Sequence, residues 1–290
     1  MYKVSSEQEQ YLTYTLSDES TTSIMEVVPE RGGIVTSWQI NGKEVFYLDT
    51  ERFKSPDLSV RGGNPILFPL CGNLPNDSYN VGDTAYQIKQ HGFARELPWT
   101  VTAHAADIES ASLAIALVSN EKTKLVYPFD FQISFTYILR GHTLEIHQEY
   151  KNLSSTPMPF STGFHPYFSC GDKSQIEVSI PSVKYQDNRT KENIDFDGKF
   201  DFDQDEIDAV FGNLLSRSTS VIDNSRNLKI DIDYDDFFTY LVFWTVKGKD
   251  FYCLEPWSAT RNALNTKEYL TVLEPNESCS AVVKITANFF

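Results

Sequence analysis

The chain has 290 residues, 41% of them hydrophobic and 13% aromatic, which is ample for a sizeable core. Its formal net charge of -15 excludes a basic footprint for nucleic acid or for an anionic membrane surface. No stretch approaches the roughly eighteen consecutive apolar residues of a membrane span, and residues 1–10 are polar with no apolar signal core, so a soluble, cytoplasmic protein is expected.

The dominant hydrophobic period is two. Residues 24–28, a turn at Gly32-Gly33, residues 34–40, a turn at Asn41-Gly42 and residues 45–48 predict a run of hairpins, the Asn-Gly pair being the strongest turn signal. Residues 112–118 alternate small and apolar side chains. Residues 132–151 read as two strands joined at Arg140-Gly141, with Leu144, Ile146, Gln148 and Tyr150 on one face and Glu145, His147, Glu149 and Lys151 on the other. Further strands are predicted over 228–234, 240–246, 251–254 and 281–287, and short helical pieces over 205–211 and 259–265. The acidic segment 195–208 is the only candidate boundary, and strands of the same style continue past it. The expectation is an all-β fold, one large antiparallel β-sandwich spanning residues 1–290.

Four places interrupt this pattern with groups able to do chemistry. Arg61-Gly62-Gly63-Asn64-Pro65 puts a cation before a backbone that passes close to something, or else a surface arginine beside a bulge. His91 precedes Gly92 and can sit on a sharp turn with its ring exposed, or serve a structural role. His165 lies among the aromatics of Gly163-Phe164-His165-Pro166-Tyr167-Phe168, a texture suited to stacking and hydrogen bonding a pyranose, or to a core histidine. Glu255 ends an apolar strand before Pro256 and Trp257, an uncomfortable place for a carboxylate unless it is paired, functional or turned to solvent. Burial there would raise its pKa toward the range of a general base.

Other candidates carry less. His104, His142 and His147 are expected to be solvated, and the scattered Cys71, Cys170, Cys253 and Cys279 to be small hydrophobes. Asp201-x-Asp203-x-Asp205 begins like a calcium loop, but Glu206 stands where glycine is needed and Gly212 where glutamate is needed. No zinc spacing, phosphate loop, dinucleotide fingerprint or nucleophile elbow is present, so no cofactor and no metal is expected.

Taken in order, PILFP at 65–69, HGFAR at 91–95, GFHPYF at 163–168 and EPWSATRNALNT at 255–266 resemble the site motifs of the aldose 1-epimerase (galactose mutarotase-like) family over nearly the whole chain. The resemblance implies a β-supersandwich in which Glu255 is the general base and His165 the general acid, with His91 on the ring-oxygen side of a sugar. It also implies that Arg61 contacts sugar hydroxyls and that Asp208, in Ile207-Asp208-Ala209-Val210-Phe211, binds another. Trp257 and Arg261 join the implied binding residues, and Arg61, Arg95 and Arg261 would form a small basic site within an acidic protein. Glutamate and histidine, with ordinary pKa values of about 4.3 and 6.5, straddle the two proton states that ring opening needs. The family has branches acting on free aldohexoses and on hexose 6-phosphates. Arg61-Gly-Gly-x-Pro resembles the latter and Leu70-Cys71-Gly72-Asn73-Leu74 the former, so a free aldohexose is expected, with a monomer or homodimer as the state of assembly. A sugar-binding sensor on the same scaffold is the alternative of another class. A glycoside hydrolase or lyase is a third, and would need a second carboxylate such as Asp208.

Overall fold

The computed structural model describes residues 1–290. Every named strand pairing in it is antiparallel. The chain opens with a sheet of five strands in sequence order, Tyr2–Gln8, Leu12–Asp18, Ser23–Val28, Ile34–Ile40 and Lys43–Glu44. The predicted hairpins fall here. The strand predicted over 45–48 does not form: the last strand of the sheet is the two-residue Lys43–Glu44 before it, and within 45–48 Phe46 and Leu48 make only isolated bridges to Phe168 and Gly62.

Two larger sheets enclose most of the core. One is built around Ser278–Phe289, Thr143–Asn152, Phe131–Arg140 and Ala111–Val118. In Thr143–Asn152 the alternation read from the sequence is literal: Leu144, Ile146, Gln148 and Tyr150 are buried, while His147 and Glu149 are exposed. The other, here called the site sheet, has the strands Lys184–Asp187, Glu206–Phe211, Tyr240–Val246, Phe251–Trp257, Gly163–Phe164 and Ile66–Leu67 in that order, with Ile66–Leu67 at its end. Between the sheets, 57 buried residues form one hydrophobic cluster. Phe68 sits inside it with the rings of Phe93, Tyr127, Phe131, Tyr150 and Phe160 within 6.1 Å of its own.

The helical piece predicted over 205–211 is wrong: Glu206–Phe211 is a strand of the site sheet. Its acidic start is helix-compatible, but Ile207, Ala209 and Phe211 fill the core while Asp208 faces away, a period of two that pairing with Tyr240–Val246 enforces. The piece predicted over 259–265 shrinks to one turn, Ala263–Thr266.

The strand Phe251–Trp257 is buried at every position. Tyr252 and Leu254 enter the main core. Phe251, Cys253, Glu255 and Trp257 share the opposite face, because successive side chains of a strand alternate. A run of apolar residues thus presents a carboxylate on the face of the sheet turned away from the main core, and that is what positions the site.

Candidate active site

All seven residues singled out in the sequence line one cavity of about 400 Å³: Arg61, His91, His165, Asp208, Glu255, Trp257 and Arg261. The site sheet supplies its floor. Val242 is paired with Glu255, Trp244 with Cys253 and Asp208 with Trp244, so residues far apart in sequence share one face.

His165 follows the two-residue strand Gly163–Phe164, and its N–H donates to the carbonyl of Pro65 at 3.1 Å. Its ring stacks on Tyr167 (centroids 4.7 Å apart, 14° between planes) and meets the edge of Trp244. Nε2 lies 3.4 Å from Glu255 Oε1. The other carboxylate oxygen, Oε2, accepts the indole N–H of Trp257 at 3.1 Å.

His91 occupies left-handed backbone (φ 67°) and is followed by Gly92 (φ 69°), where a Cβ would stand 2.2 Å from the carbonyl oxygen of Phe68. The sharp turn is therefore real, and of the two alternatives for the ring the exposed one does not hold: His91 is buried, with Nδ1 accepting the N–H of Gly72 at 3.1 Å. That bond leaves the proton of the neutral ring on Nε2. The tight approach suspected at Gly62-Gly63 is to the N-terminal sheet, since a Cβ on Gly63 would stand 2.2 Å from the carbonyl oxygen of Val35.

Asp208 accepts from Arg261 Nη2 at 2.8 Å and from Asn188 Nδ2 at 2.9 Å. Arg261 also reaches Asn73 Oδ1 at 3.0 Å, so the loop after Phe251–Trp257 is tied down at two points. Arg61 is exposed at the rim, without a carboxylate partner. Four arginines (Arg52, Arg61, Arg95 and Arg261) face three carboxylates (Glu206, Asp208 and Glu255), so a protein of net charge -15 carries a locally cationic cavity.

Burial sets the proton states. It pushes Glu255 well above the usual carboxylate range, with the nearby Asp208 adding to the effect. It pulls His165 down to about 3, with Arg95 as the next cause. It also holds His91 neutral, again with Arg95 contributing. Burial thus displaces the two members of the acid–base pair in opposite senses. Asp208 is raised by the same desolvation, which Arg261 opposes.

His165, Cys253 and Glu255 bring one ligand atom each within 4.8 Å of one another. A cation there would meet Arg95, Arg261 and Arg61, whose charges already press on His165, and a Cys253 thiol kept protonated by burial. The donor set suits a hydroxylic, neutral or anionic ligand better than a metal ion. A larger cleft of about 1060 Å³ elsewhere is open and lined by exposed acids and lysines, with no buried titratable pair.

Tyr167, Trp244 and Arg52 join the cavity without having been anticipated. Tyr167 was within reach, two residues from His165 on the same face of an extended segment. Trp244 and Arg52 arrive through long-range pairing and a helical turn at Thr50–Lys54, which local pattern does not reveal. His104 and His147 are exposed as expected; His142 is half-buried. Cys71, Cys170 and Cys253 are buried and Cys279 partly so, all with free thiols. No helix is long and apolar enough to cross a membrane.

Residues 13–286 match the sequence profile of the aldose 1-epimerase family. A crystal structure from Synechocystis sp. PCC 6803 is 44% identical and superposes with a TM-score of 0.95 over the full length of both chains. A galactose mutarotase-like protein of Clostridium acetobutylicum shares the fold at 23% identity, with a TM-score of 0.84 over 100% of this chain and 99% of its own. An Escherichia coli K12 protein named as a candidate glucose-6-phosphate 1-epimerase is 31% identical over 63% of this chain and 58% of its own length, so less than two thirds of that relative is spanned. The chromosomal LacX protein of Lactococcus lactis is 28% identical over 78% of this chain and 85% of its own.

Proposed function

We propose a reaction and a substrate from one premise: the chain belongs to the aldose 1-epimerase family. It is an isomerase that exchanges the α and β anomers of an aldohexose. The observation that carries this reading is the His165–Glu255 pair, 3.4 Å apart and buried at the floor of a cavity able to hold a pyranose.

The reaction removes a proton from the C1 hydroxyl and delivers one to the ring oxygen. The C1–O5 bond breaks to give the free aldehyde, rotation about C1–C2 presents the other carbonyl face, and the steps reverse. One proton leaves and one arrives, so the pair must hold a single proton throughout. Burial disfavours both charged forms, which puts that proton on Glu255 in the empty cavity and leaves His165 neutral. Passing it across the 3.4 Å contact makes Glu255 the base and His165 the acid. Arg95 and the neutral His91 face the same cavity and would stabilise negative charge developing on the sugar oxygens. Asp208 and Arg261 would hold hydroxyls, each through the hydrogen-bonding capacity their mutual ion pair leaves over.

A hexose 6-phosphate is the second reading, favoured by Arg52, Arg61 and Arg95. Only Arg261 among the four arginines has a carboxylate of the cavity as its partner. The name of the Escherichia coli relative points the same way. Polarimetry of freshly dissolved α-D-glucose and α-D-galactose, with anomer exchange of glucose 6-phosphate by NMR, tests both readings. Acceleration of any of the three supports the reaction and ranks the substrates. Saturable hexose binding with no acceleration would replace it with a sugar sensor.

A further inference from the structure

We propose that Trp257 is a positioning residue for Glu255: its indole N–H anchors one carboxylate oxygen so that the other is presented to His165. This rests on the reading above, in which Glu255 moves the proton.

Glu255 and Trp257 stand two apart on one strand, hence on one face, and the indole reaches back along it. The two oxygens of Glu255 are separately committed, Oε2 to Trp257 Nε1 at 3.1 Å and Oε1 toward His165 Nε2 at 3.4 Å. The ring itself cannot swing. It packs with Leu67, Cys71 and Val242, and the ring edge of His91 closes on it with centroids 5.7 Å apart. Gly163 is its partner in register, and a Cβ there would come within 2.8 Å of the indole Cδ1, so that glycine makes the room the ring occupies. Stacking on a sugar would need an open ring face, whereas Trp257 is 1% exposed. Its useful group is therefore the N–H, and the N–H is spent on the carboxylate.

A donor to a carboxylate favours the ionised form. The other titratable or charged groups around Glu255 are His165, Tyr167, Cys253, Asp208, Arg95, Arg261 and Cys71. None is a neutral donor bonded to its oxygens, so Trp257 is the hydrogen bond that, with the charges of Arg261 and Arg95, works against the burial that keeps the shared proton on Glu255.

Trp257→Phe keeps an aromatic ring and deletes the donor. We expect kcat to fall about tenfold at neutral pH, the worth of one hydrogen bond to a charged group, with KM within twofold and the limb of the pH profile set by Glu255 displaced to higher pH. In a Glu255→Gln background the same change should cost nothing further. A loss that is equal in both backgrounds, with an unmoved limb, would make Trp257 merely structural. If Trp257→Phe does not fold, the wild-type protein decides by NMR. The Trp257 indole proton should titrate with pH and stop doing so in Glu255→Gln, whereas an indole resonance indifferent to both would overturn the proposal. The NMR result does not depend on any sugar being turned over, so it separates failure of this contact from failure of the epimerase reading.

Discussion

Asp208 Oδ2 and Arg261 Nη2 stand 2.8 Å apart, joining a strand of the site sheet to the loop that follows Glu255. The carboxylate is buried and the guanidinium mostly so. Removing one partner leaves the other desolvated and unpaired, whereas removing both does not. Arg261→Met is therefore expected to destabilise the protein by about 2 kcal/mol or more, and the double variant Asp208→Leu/Arg261→Met by less than Arg261→Met alone. Urea unfolding of the two variants checks the order.

The depressed pKa of His165 has a stability signature. The unfolded chain binds a proton at this residue near pH 6.5, while the folded chain refuses it until about 3. The unfolded state therefore holds more protons between those values, and stability falls as pH drops through that window. Glu255 acts in the opposite sense: its raised pKa contributes stability below its unfolded value, and that contribution fades as pH rises. His165→Asn should flatten the decline in unfolding temperature between pH 6.5 and about 3, and equal slopes in wild type and variant would contradict the account.

Arg52 and Arg61 separate the two substrate readings. If a phosphate sits against them, replacing either with alanine should raise KM for glucose 6-phosphate about tenfold, make that KM less sensitive to salt, and leave free glucose nearly untouched. Steady-state kinetics on both sugars at two ionic strengths measures this. Equal effects on both substrates would return the preference to the free sugar.

Gly92 is a backbone requirement rather than a chemical one. Alanine there would adopt φ 69° with its Cβ 2.2 Å from the Phe68 carbonyl oxygen. Left-handed backbone alone costs about 1–2 kcal/mol, and relieving the clash displaces His91 as well. Gly92→Ala should lower both the unfolding midpoint and turnover, as thermal denaturation and kinetics on the same sample would read.

What the sequence disclosed depended on how far each signal reached. Tyr240–Val246 was placed to the residue by a short apolar run that is buried on both faces, and Leu228–Tyr234 by period-two alternation, because a strand buried on one face writes its pairing into every second side chain. The same rule failed at Glu206–Phe211, where the acids of the preceding loop and of the strand itself read as a helix start. Glu255 stood out because a carboxylate ending an apolar run is costly unless it has a purpose. That it would pair with His165 rested on family resemblance, since no local pattern brings together residues ninety positions apart. The opposite displacement of their pKa values depends on the desolvation each meets in the assembled cavity, which only the packed structure supplies.

The most direct test of the whole account is the rate of anomer exchange at pH 7 in wild type, Glu255→Gln and His165→Asn, with α-D-glucose, α-D-galactose and glucose 6-phosphate. Wild type is expected to accelerate at least one of the three, and each variant to lose about 10²–10⁴-fold of that acceleration while remaining folded, the usual worth of positioned proton transfer. Near-normal rates in both variants would contradict the assignment of the buried pair, and no acceleration by wild type of any of the three would contradict the epimerase reading itself.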